Sequence, residues 1–474
     1  MKRLFALALL ALPLKLDAQI TAREYAARRD ALLARLPDNA VVVALGAPEP
    51  KQDYLEFDQS PDMLYLTGVR EPNVGLVMVK QSGRASQTLF VLPRDPAAET
   101  WTGARLGTTG ATQQTGIAAR TRDEFEKVVD SLGAGSAPFF VVGEYAGQQE
   151  DGAPLSADEQ FVARLKRDHP QLRVQPATAL MQLRGKKTPA ELALIRRAVE
   201  ITVDAQRAAM QAMPSARNEY EIEALIEYTF RRNGAERPSF ATIVGSGPNS
   251  TTLHYGADNR AMQPGEVVVM DIGASFDGYA ADVTRTVPTN GVYSPVQREV
   301  YQIVRDAQAA AERNAKPGTS ARAMNDSANA VIAAGLTRLG LIESPTAMFD
   351  YSQDGVTQQM PQYRLYYMHG LGHGIGLEVH DPDQYYFAPN LLAEGSAFTI
   401  EPGIYVRANV LETLPDTPRN RALIAKLRPA VDKYRNVGVR IEDDYIITDK
   451  GLEWISRAPR EMNEIEALMR RPTP

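Results

Sequence analysis

Short apolar runs alternate with polar stretches along the first third of the chain. Runs that are rich in β-branched and aromatic residues and bounded by Gly, Pro, Asp or Ser are typical of strands. They are VVVALGAP (41–48), MLYLTG (63–68), GLVMVK (75–80), QTLFVLP (87–93) and FFVVGE (139–144). A capping-box pattern at residues 156–159, Ser-Ala-Asp-Glu, predicts the start of a helix. Strands alternating with helices predict an α/β domain of roughly 160 residues.

The pattern changes near residue 184. The segment Arg-Gly-Lys-Lys (184–187) is polar and flexible in composition, as expected of a linker. Residues 188–191, Thr-Pro-Ala-Glu, then offer an N-cap, a proline at the first helical position and a glutamate three residues after the cap. A second helix is predicted from about Asn218 to Arg232, and a helical insertion at 408–436. We therefore place a second domain at residues 184–474.

The first residues predict a secretory signal peptide. Lys2 and Arg3 precede the apolar run LFALALLALPL (4–14), and a small residue stands before Gln19. The run is too short to span a bilayer, and no other segment approaches transmembrane length, so no membrane partner is expected. The alternative is a frayed amino-terminal helix. We predict a signal peptide at 1–18, a first domain at 19–183 and an exported protein, periplasmic or secreted.

Charge and cysteine content narrow the class of protein. The net charge of -6 argues against a nucleic-acid partner, because nucleic-acid-binding surfaces are usually basic. The chain has 0 cysteines, which excludes disulfides, thiolate ligands and cysteine nucleophiles. Any bound metal must therefore be held by oxygen and imidazole.

Two acids flank a predicted turn in the second domain. VVVMDIG and YAADVTRTV read as strands joined at Asp277-Gly278. With a loop at 275–278, Asp271 would oppose Asp282, and a two-residue slip would still leave both on one face. Two buried carboxylates in this position repel each other unless a cation lies between them. The alternative is a pair of acids on a solvated face.

Two glutamates and a histidine-rich run add further candidates. Glu401 in TIEPG and Glu442 in VRIED stand in strand-like apolar sequence. A buried acid needs a partner, which is either a shared cation or an arginine, and Arg440 is close to Glu442 in sequence. The run HGLGHGIGLEVHD (369–381) holds three of the five histidines. Its Gly-Leu-Gly spacer disfavours the helix of the zinc-protease motif, which also requires a glutamate there.

Four carboxylates and one imidazole would form a hard, oxygen-rich metal site. Such a set suits manganese, cobalt or zinc better than copper or an iron–sulfur centre. Four carboxylates carry too much charge for one divalent ion, whereas two bridged ions balance it. A two-metal site of this kind activates a water and stabilises charge at an attacked carbonyl.

The motifs resemble those of the dinuclear metallopeptidases with the pita-bread fold (family M24B), closest to the Xaa-Pro aminopeptidases (aminopeptidase P), with prolidases next. The contexts that carry the resemblance are DIGASFDGYAADVTRT, HGLGHGIGLEVHD, TIEPG and VRIED. The resemblance implies an α/β (α+β) chain, with a creatinase-like amino-terminal domain followed by a pita-bread catalytic domain. YLEFDQSPDMLYLTG (54–68) and ETWTGARLG (99–107) resemble the former.

The resemblance also implies a role for each site residue. Asp271 and Asp282 would hold the first metal, Asp282 and Glu442 would bridge to the second, and His373 and Glu401 would complete it. Glu401 would be general base and acid for attack by a metal-bridging hydroxide. The remaining candidates would contact the substrate. His254 and His380 would be catalytic groups, and His369 and Arg440 would be substrate-binding groups. The loop 245–249 lacks the lysine of a phosphate loop and would deliver His254 to the pocket.

The activity implied is removal of the N-terminal residue from peptides with proline in the second position. The alternative is a prolidase that hydrolyses Xaa-Pro dipeptides; the VRIEDD context and the full amino-terminal domain favour the aminopeptidase. A binding module without activity and a metal-free creatinase-like amidinohydrolase are other classes, and the full ligand set argues against both. Two divalent metal ions are expected, with manganese as the first choice and cobalt or zinc as alternatives. The protein is also expected to form a homo-oligomer, either a dimer or a tetramer.

Overall fold

The computed structural model describes residues 19–52, 54–143, 155–353, 356–383 and 390–470. The predicted signal peptide, residues 1–18, lies outside these ranges. Within them, every helix is too short or too polar to cross a membrane.

A mixed sheet flanked by helices forms the amino-terminal half. Its strands are β1 (Val41–Leu45), β2 (Gly75–Gln81), β3 (Arg84–Val91), β4 (Ala118–Thr121), β5 (Phe139–Val142) and β6 (Val174–Pro176). Its helices are α1 (Ala22–Ala34), α2 (Pro61–Thr67), α3 (Pro96–Thr102), α4 (Gly107–Thr115), α5 (Phe125–Gly133), α6 (Ala157–Asp168) and α7 (Ala179–Arg184). The strand order is β4-β3-β2-β1-β5-β6. Strand β2 is antiparallel to both of its neighbours, β1 and β3, and the pairs β3–β4, β1–β5 and β5–β6 are parallel.

Both faces of this sheet are covered, because alternate residues of a strand point to opposite sides. On β1, Val41 and Val43 belong to an apolar cluster with Phe125 of α5. Val42 and its alternate neighbours belong to a second cluster with Met63 of α2. The predicted α/β arrangement is confirmed for this half.

The prediction that MLYLTG is a strand is wrong, because these residues form α2 and its carboxy-terminal cap. The Ser60 side chain accepts a hydrogen bond from Met63 N–H (3.2 Å), and Pro61 occupies the first turn. Gly68, in the left-handed region with φ 68°, donates its N–H to Leu64 O (2.9 Å) and ends the helix. A fully buried apolar run shows no periodicity that separates strand from helix.

Short antiparallel sheets packed against long helices form the carboxy-terminal half. The helices are α8 (Pro189–Ala212), α9 (Glu219–Arg232), α10 (Pro295–Asn314), α11 (Ala321–Leu339), α12 (Pro418–Tyr434) and α13 (Met462–Met469). The strands are β7 (Arg237–Pro238), β8 (Ile243–Ser246), β9 (Val267–Ile272), β10 (Ala274–Phe276), β11 (Tyr279–Ala280), β12 (Val283–Pro288), β13 (Met348–Gln353), β14 (Val356–Pro361), β15 (Ala397–Ile400), β16 (Gly403–Val406), β17 (Val437–Arg440), β18 (Asp443–Thr448) and β19 (Gly451–Trp454). Short 3-10 helices occupy 122–124, 213–215, 247–251 and 362–365.

One apolar core joins the helices to the sheets. Ile201 of α8, Met270 of β9 and Val304 of α10 are fully buried in it. The predicted capping box at Thr188 is present, with Thr188 and Glu191 each bonded to the other's backbone N–H. The predicted helix near Asn218 begins at Glu219, and α12 lies within the predicted insertion.

The turn between the two acids is tighter than the assumed one. Only Asp277 and Gly278 lie between the paired ends of β10 and β11, so Asp271 opposes Thr284 rather than Asp282. The prediction that Asp271 directly opposes Asp282 is therefore wrong, because the register differs by two residues. Because the slip is even, Asp271 and Asp282 remain on one face, as the alternation requires.

The prediction of a flexible linker at 184–187 is also wrong. Arg184 ends α7 and Lys187 precedes α8, and both side chains are buried. Arg184 Nη1 lies 2.7 Å from Asp62 Oδ1 of α2, which ties the junction to the amino-terminal half. The composition of this segment suggests mobility, but its buried cations are held in place by carboxylate partners.

Candidate active site

A cavity of about 560 Å³ opens in the carboxy-terminal half. All the site residues predicted from the sequence line it: His254, Asp271, Asp282, His369, His373, His380, Glu401, Arg440 and Glu442. They come from positions spread over nearly 190 residues of the chain, so the fold brings together groups that no single motif contains.

The ends of several strands deliver the acids. Asp271 lies near the end of β9, Asp282 just before β12, Glu401 just after β15 and Glu442 between β17 and β18. Buried Arg285 donates from Nη1 to the backbone oxygen of Glu442 (2.7 Å) and so holds the turn between β17 and β18.

The glycine-rich run aligns His373 with Glu401. The backbone N–H of Thr399 donates to His373 O (2.8 Å), and that of Glu401 donates to Leu371 O (2.7 Å). A Cβ at Gly372 would stand 2.1 Å from Thr399 O, and one at Gly374 would stand 2.2 Å from Asp381 O. Glycine is required at both positions because neighbouring backbone occupies the space of a side chain.

His373 points its Nε2 atom into the carboxylate cluster. This atom lies 3.6 Å from Asp282 Oδ2, 3.6 Å from Glu401 Oε1 and 3.8 Å from Glu442 Oε1. The other ring nitrogen, Nδ1, lies 3.1 Å from the backbone oxygen of Gly374. A proton on Nδ1 leaves the Nε2 lone pair facing the acids, which is the tautomer and orientation of a metal-binding histidine.

The donor set fits a divalent cation. Asp282, His373 and Glu442 each offer one ligand atom, and these atoms lie within 4.8 Å of one another. Three buried carboxylate oxygens of the cluster accept no hydrogen bond: Asp271 Oδ1, Asp282 Oδ1 and Glu442 Oε1. A buried anionic oxygen without a donor is costly, and a cation removes that cost. Oxygen and imidazole ligands suit the metals predicted above.

Burial and mutual repulsion raise the pKa values of the acids. Burial first and Glu442 second raise the pKa of Asp282 and that of Glu401 well above the ordinary range. Burial and the charge of Asp271 raise the pKa of Glu442 from 4.5 to about 7. Burial and the neighbouring His380 lower the pKa of His373 to about 4, so its imidazole is neutral and able to bind a metal at neutral pH.

Arg440 pairs with Asp271 rather than with Glu442. Its Nη2 contacts Asp271 Oδ2, and its Nε donates to Thr284 Oγ1 (3.1 Å). The Thr284 hydroxyl donates in turn to Glu442 Oε2 (2.7 Å). The alternative of a direct pair between Arg440 and Glu442 is therefore not what the structure shows, since Thr284 links the two side chains.

Tyr405 is a fully buried residue beside the cavity lining, which the sequence motifs did not mark as part of the site. Its hydroxyl accepts a hydrogen bond from Arg440 Nη1 (2.9 Å) and lies 2.9 Å from His369 Nε2. Because Gly370 O can only accept, His369 carries its proton on Nδ1, 2.8 Å from that oxygen, and its Nε2 accepts the proton of the Tyr405 hydroxyl. Strand alternation through Glu401, Gly403 and Tyr405 is the signal that could have found it.

The two histidines predicted to act on the substrate lie at the exposed side of the cavity. His254 follows the 3-10 helix at 247–251, and His380 lies with its ring centroid 4.2 Å from that of His373. Burial, followed by the nearby charge of His254, lowers the pKa of His380. Beside them is an apolar wall of Phe240, Ile243, Leu253 and Val379.

Comparison with known proteins places this site in a family. Residues 193–449 match the model of metallopeptidase family M24. The chain belongs to that family. In this M24 peptidase, residues 25–140 also match the N-terminal domain of aminopeptidase P. The predicted resemblance and the predicted two-part fold are confirmed.

Full-length relatives of this M24 peptidase share both halves. The Xaa-Pro aminopeptidase of Escherichia coli (strain K12) is 33% identical over 95% of this chain and 98% of its own length. The Xaa-Pro aminopeptidase of Haemophilus influenzae is 32% identical over 95% of this chain and 98% of its own length. Aminopeptidase P from Escherichia coli, solved with zinc and product, matches with a TM-score of 0.77 at 30% identity over 95% and 98%. Proline aminopeptidase P II from Yersinia pestis gives 0.77 at 31% identity over 95% and 99%.

Proposed function

We propose that this M24 peptidase is a metal-dependent aminopeptidase that removes the N-terminal residue from peptides with proline in the second position. The observation that carries the proposal is a single cavity in which the carboxylate cluster faces an apolar wall. The wall offers the apolar surface that a proline ring needs. The relatives named Xaa-Pro aminopeptidase support the same activity.

Five side chains would hold the metal ions: Asp271, Asp282, His373, Glu401 and Glu442. When bound, two divalent ions lower the pKa of a water and polarise the scissile carbonyl. The unpaired oxygens belong to three residues that line the same cavity, Asp271, Asp282 and Glu442, which supports this assignment.

Glu401 is the residue proposed to move the proton. As a carboxylate, Glu401 can take a proton from the attacking water and hold it. It then returns the proton to the proline nitrogen as the peptide bond breaks. His369 Nδ1 lies 3.6 Å from Glu401 Oε2, so this histidine is the near neighbour of the proposed proton carrier.

His254 and His380 are proposed to contact the substrate on the open side of the cavity. The lowered pKa of His380 keeps its ring neutral, so that one nitrogen can donate a hydrogen bond to the oxygen of the attacked carbonyl. Arg440 would act by orienting Asp271 and, through Tyr405, His369.

The cavity favours the aminopeptidase over a prolidase. A prolidase must bind the free carboxylate of an Xaa-Pro dipeptide, which calls for an available cation. Among the lining residues in the described part of the chain, Arg440 is the only arginine or lysine. Its guanidinium is already bonded to Asp271, Thr284 and Tyr405. A longer peptide carries its carboxylate out of the cavity and avoids this requirement.

A comparison of two substrates tests the proposal. The manganese-loaded protein is given Arg-Pro-Pro and Arg-Pro at equal concentration, and free arginine is measured. We expect the tripeptide to be cleaved with the higher kcat/KM. Preference for the dipeptide would make the protein a prolidase, and cleavage of neither would remove the proposed function.

Further proposals rest on the sequence. We propose manganese as the bound metal, with cobalt or zinc as alternatives, and a homodimer or homotetramer as the assembly. A signal peptide at 1–18 and export to the periplasm or beyond are proposed from the amino-terminal pattern. Domain limits of 19–183 and 184–474 remain predictions, which limited proteolysis and mass spectrometry of the mature protein can test.

A further inference from the structure

A buried ion network stands directly behind His380. The next residue, Asp381, has a side chain that is only 2% exposed. Its Oδ2 lies 2.7 Å from Lys187 Nζ, and its Oδ1 contacts Arg184 Nη2. Together the two cations lower the pKa of Asp381, so its carboxylate is charged and doubly held.

The two cations are themselves fixed. Lys187 Nζ also donates to Arg184 O (2.7 Å) and to Pro382 O (3.1 Å). Arg184 also reaches Asp62 Oδ1 (2.7 Å) and Glu378 Oε2 (2.6 Å). The network therefore joins α2 of the amino-terminal half to the loop that carries His380.

Asp381 also closes that loop. Its N–H donates to Gly374 O (3.0 Å), and its Oδ1 accepts from Glu378 N–H (3.1 Å). Gly376 packs against it so closely that a Cβ there would lie 2.5 Å from Asp381 Oδ2. The reversal from Gly374 to Asp381 thus depends on where the Asp381 carboxylate sits, and His380 is adjacent to that anchor.

We infer that Arg184 and Lys187 are positioning residues, which hold Asp381 and through it present His380 to the substrate. The inference rests on the proposed function, in which His380 contacts the peptide. Without Lys187, the buried carboxylate of Asp381 loses its Oδ2 partner and must move toward water or toward Arg184. The backbone of His380 moves with it, and small displacements of a catalytic group are costly.

A double-mutant cycle tests whether Lys187 acts through His380. Lys187→Met is made in the wild-type and His380→Ala backgrounds of the manganese-loaded full chain, with Arg-Pro-Pro as substrate. We expect kcat to fall about 10- to 100-fold in the first background. In the second the loss should shrink to less than about twofold, because the group being positioned is gone.

Two variants control the cycle. Lys187→Arg keeps the charge and should recover most of kcat. Arg298→Ala removes a different cation from a buried carboxylate, Glu466, outside the cavity, and should leave kcat within about twofold. If Lys187→Met does not fold, Asp381→Asn takes its place in the same cycle. Equal losses in both backgrounds, or full activity of His380→Ala, would overturn the inference.

A second readout does not depend on activity. The chain has five histidines, so imidazole ¹H–¹⁵N spectra of the zinc-loaded protein are simple to assign by substitution. The His380 signal should shift in Lys187→Met and stay in place in Arg298→Ala. An unmoved His380 signal would contradict the inference even in a protein that cleaves Xaa-Pro peptides. Conversely, absent cleavage by the wild-type protein would count against the proposed function and not against the positioning.

Discussion

The guanidinium of Arg440 contacts the carboxylate of Asp271, although Glu442 is only two residues away along the chain. Arg440 ends β17 and Asp271 lies on β9, so the pairing is a product of the fold. One planar group thereby orients a metal-binding candidate, Asp271, and bonds to the Tyr405 hydroxyl that holds His369.

Arg440→Lys tests this orienting role. Lysine keeps the charge but cannot reach Asp271, Thr284 and Tyr405 from one planar fork. We expect kcat on Arg-Pro-Pro to fall about 10- to 100-fold, the usual cost of losing a partner that orients a metal ligand. Steady-state kinetics with added manganese measures this change in kcat. An unchanged kcat would show that the positive charge alone is enough to orient Asp271.

Glu401→Gln should separate catalysis from folding. The amide keeps the size of the side chain but cannot accept a proton from the attacking water, so turnover should fall by about 10²- to 10⁴-fold. Since the substitution also removes one of several repelling buried acids, the melting temperature of the metal-free protein should not fall. Near-normal turnover in a folded variant would remove the proposed role of Glu401.

Metal-free protein should lose stability as pH rises above 6.5. A folded-state pKa raised above its unfolded value means that the native state binds more protons, so stability falls with rising pH through the folded pKa. Glu442, raised from 4.5 to about 7, has this sign, and so do Asp282 and Glu401. His373, lowered from 6.5 to about 4, has the opposite sign but contributes no slope above 6.5.

Thermal unfolding with chelator and with manganese measures this dependence. Bound metal should raise the melting temperature, with a stabilisation of about 2.7 kcal/mol at a free concentration of 100 Kd. It should also flatten the slope above pH 6.5, because the ions take the place of protons. In the metal-free Glu442→Gln variant the slope should be smaller. Stability of the metal-free wild type that climbs steadily above pH 6.5 would contradict the repulsion described here.

Gly372→Ala should destabilise the protein, and Gly370→Ala should not. The first substitution places a Cβ 2.1 Å from Thr399 O, whereas the second meets nothing within 4 Å. Overpacking of this kind costs about 1–3 kcal/mol or more, and here it would also separate His373 from Glu401. Chemical denaturation of both variants side by side checks the contrast, and equal stabilities would refute the close approach.

The local motifs together with the family resemblance predicted which acids line the cavity, but not how they pair. Asp271 and Asp282 stand in alternating apolar strands, and alternation fixes the face of a strand whatever the register. The register depends on the length of the turn at Asp277-Gly278, and the loop assumed at 275–278 was two residues longer than the turn in the structure. Partners such as Arg285 and Tyr405 come from distant strands, so no local pattern marks their contacts.

The two errors about local structure have a common origin. MLYLTG looked like a strand because it is apolar throughout, and the segment 184–187 looked flexible because it is charged. In the folded protein both are buried, the first as α2 and the second around Asp381. Whether a segment is buried depends on the residues that pack against it, and the composition of the segment itself does not reveal them.

The most direct test of the account is a metal titration of peptide cleavage. Protein stripped with chelator is given Arg-Pro-Pro and increasing manganese, and the products are identified by mass spectrometry. We predict no cleavage without metal, and release of free arginine that rises to a plateau at two equivalents of metal. Full activity in the stripped protein, or a cut at any bond other than the one before the first proline, would contradict the assignment.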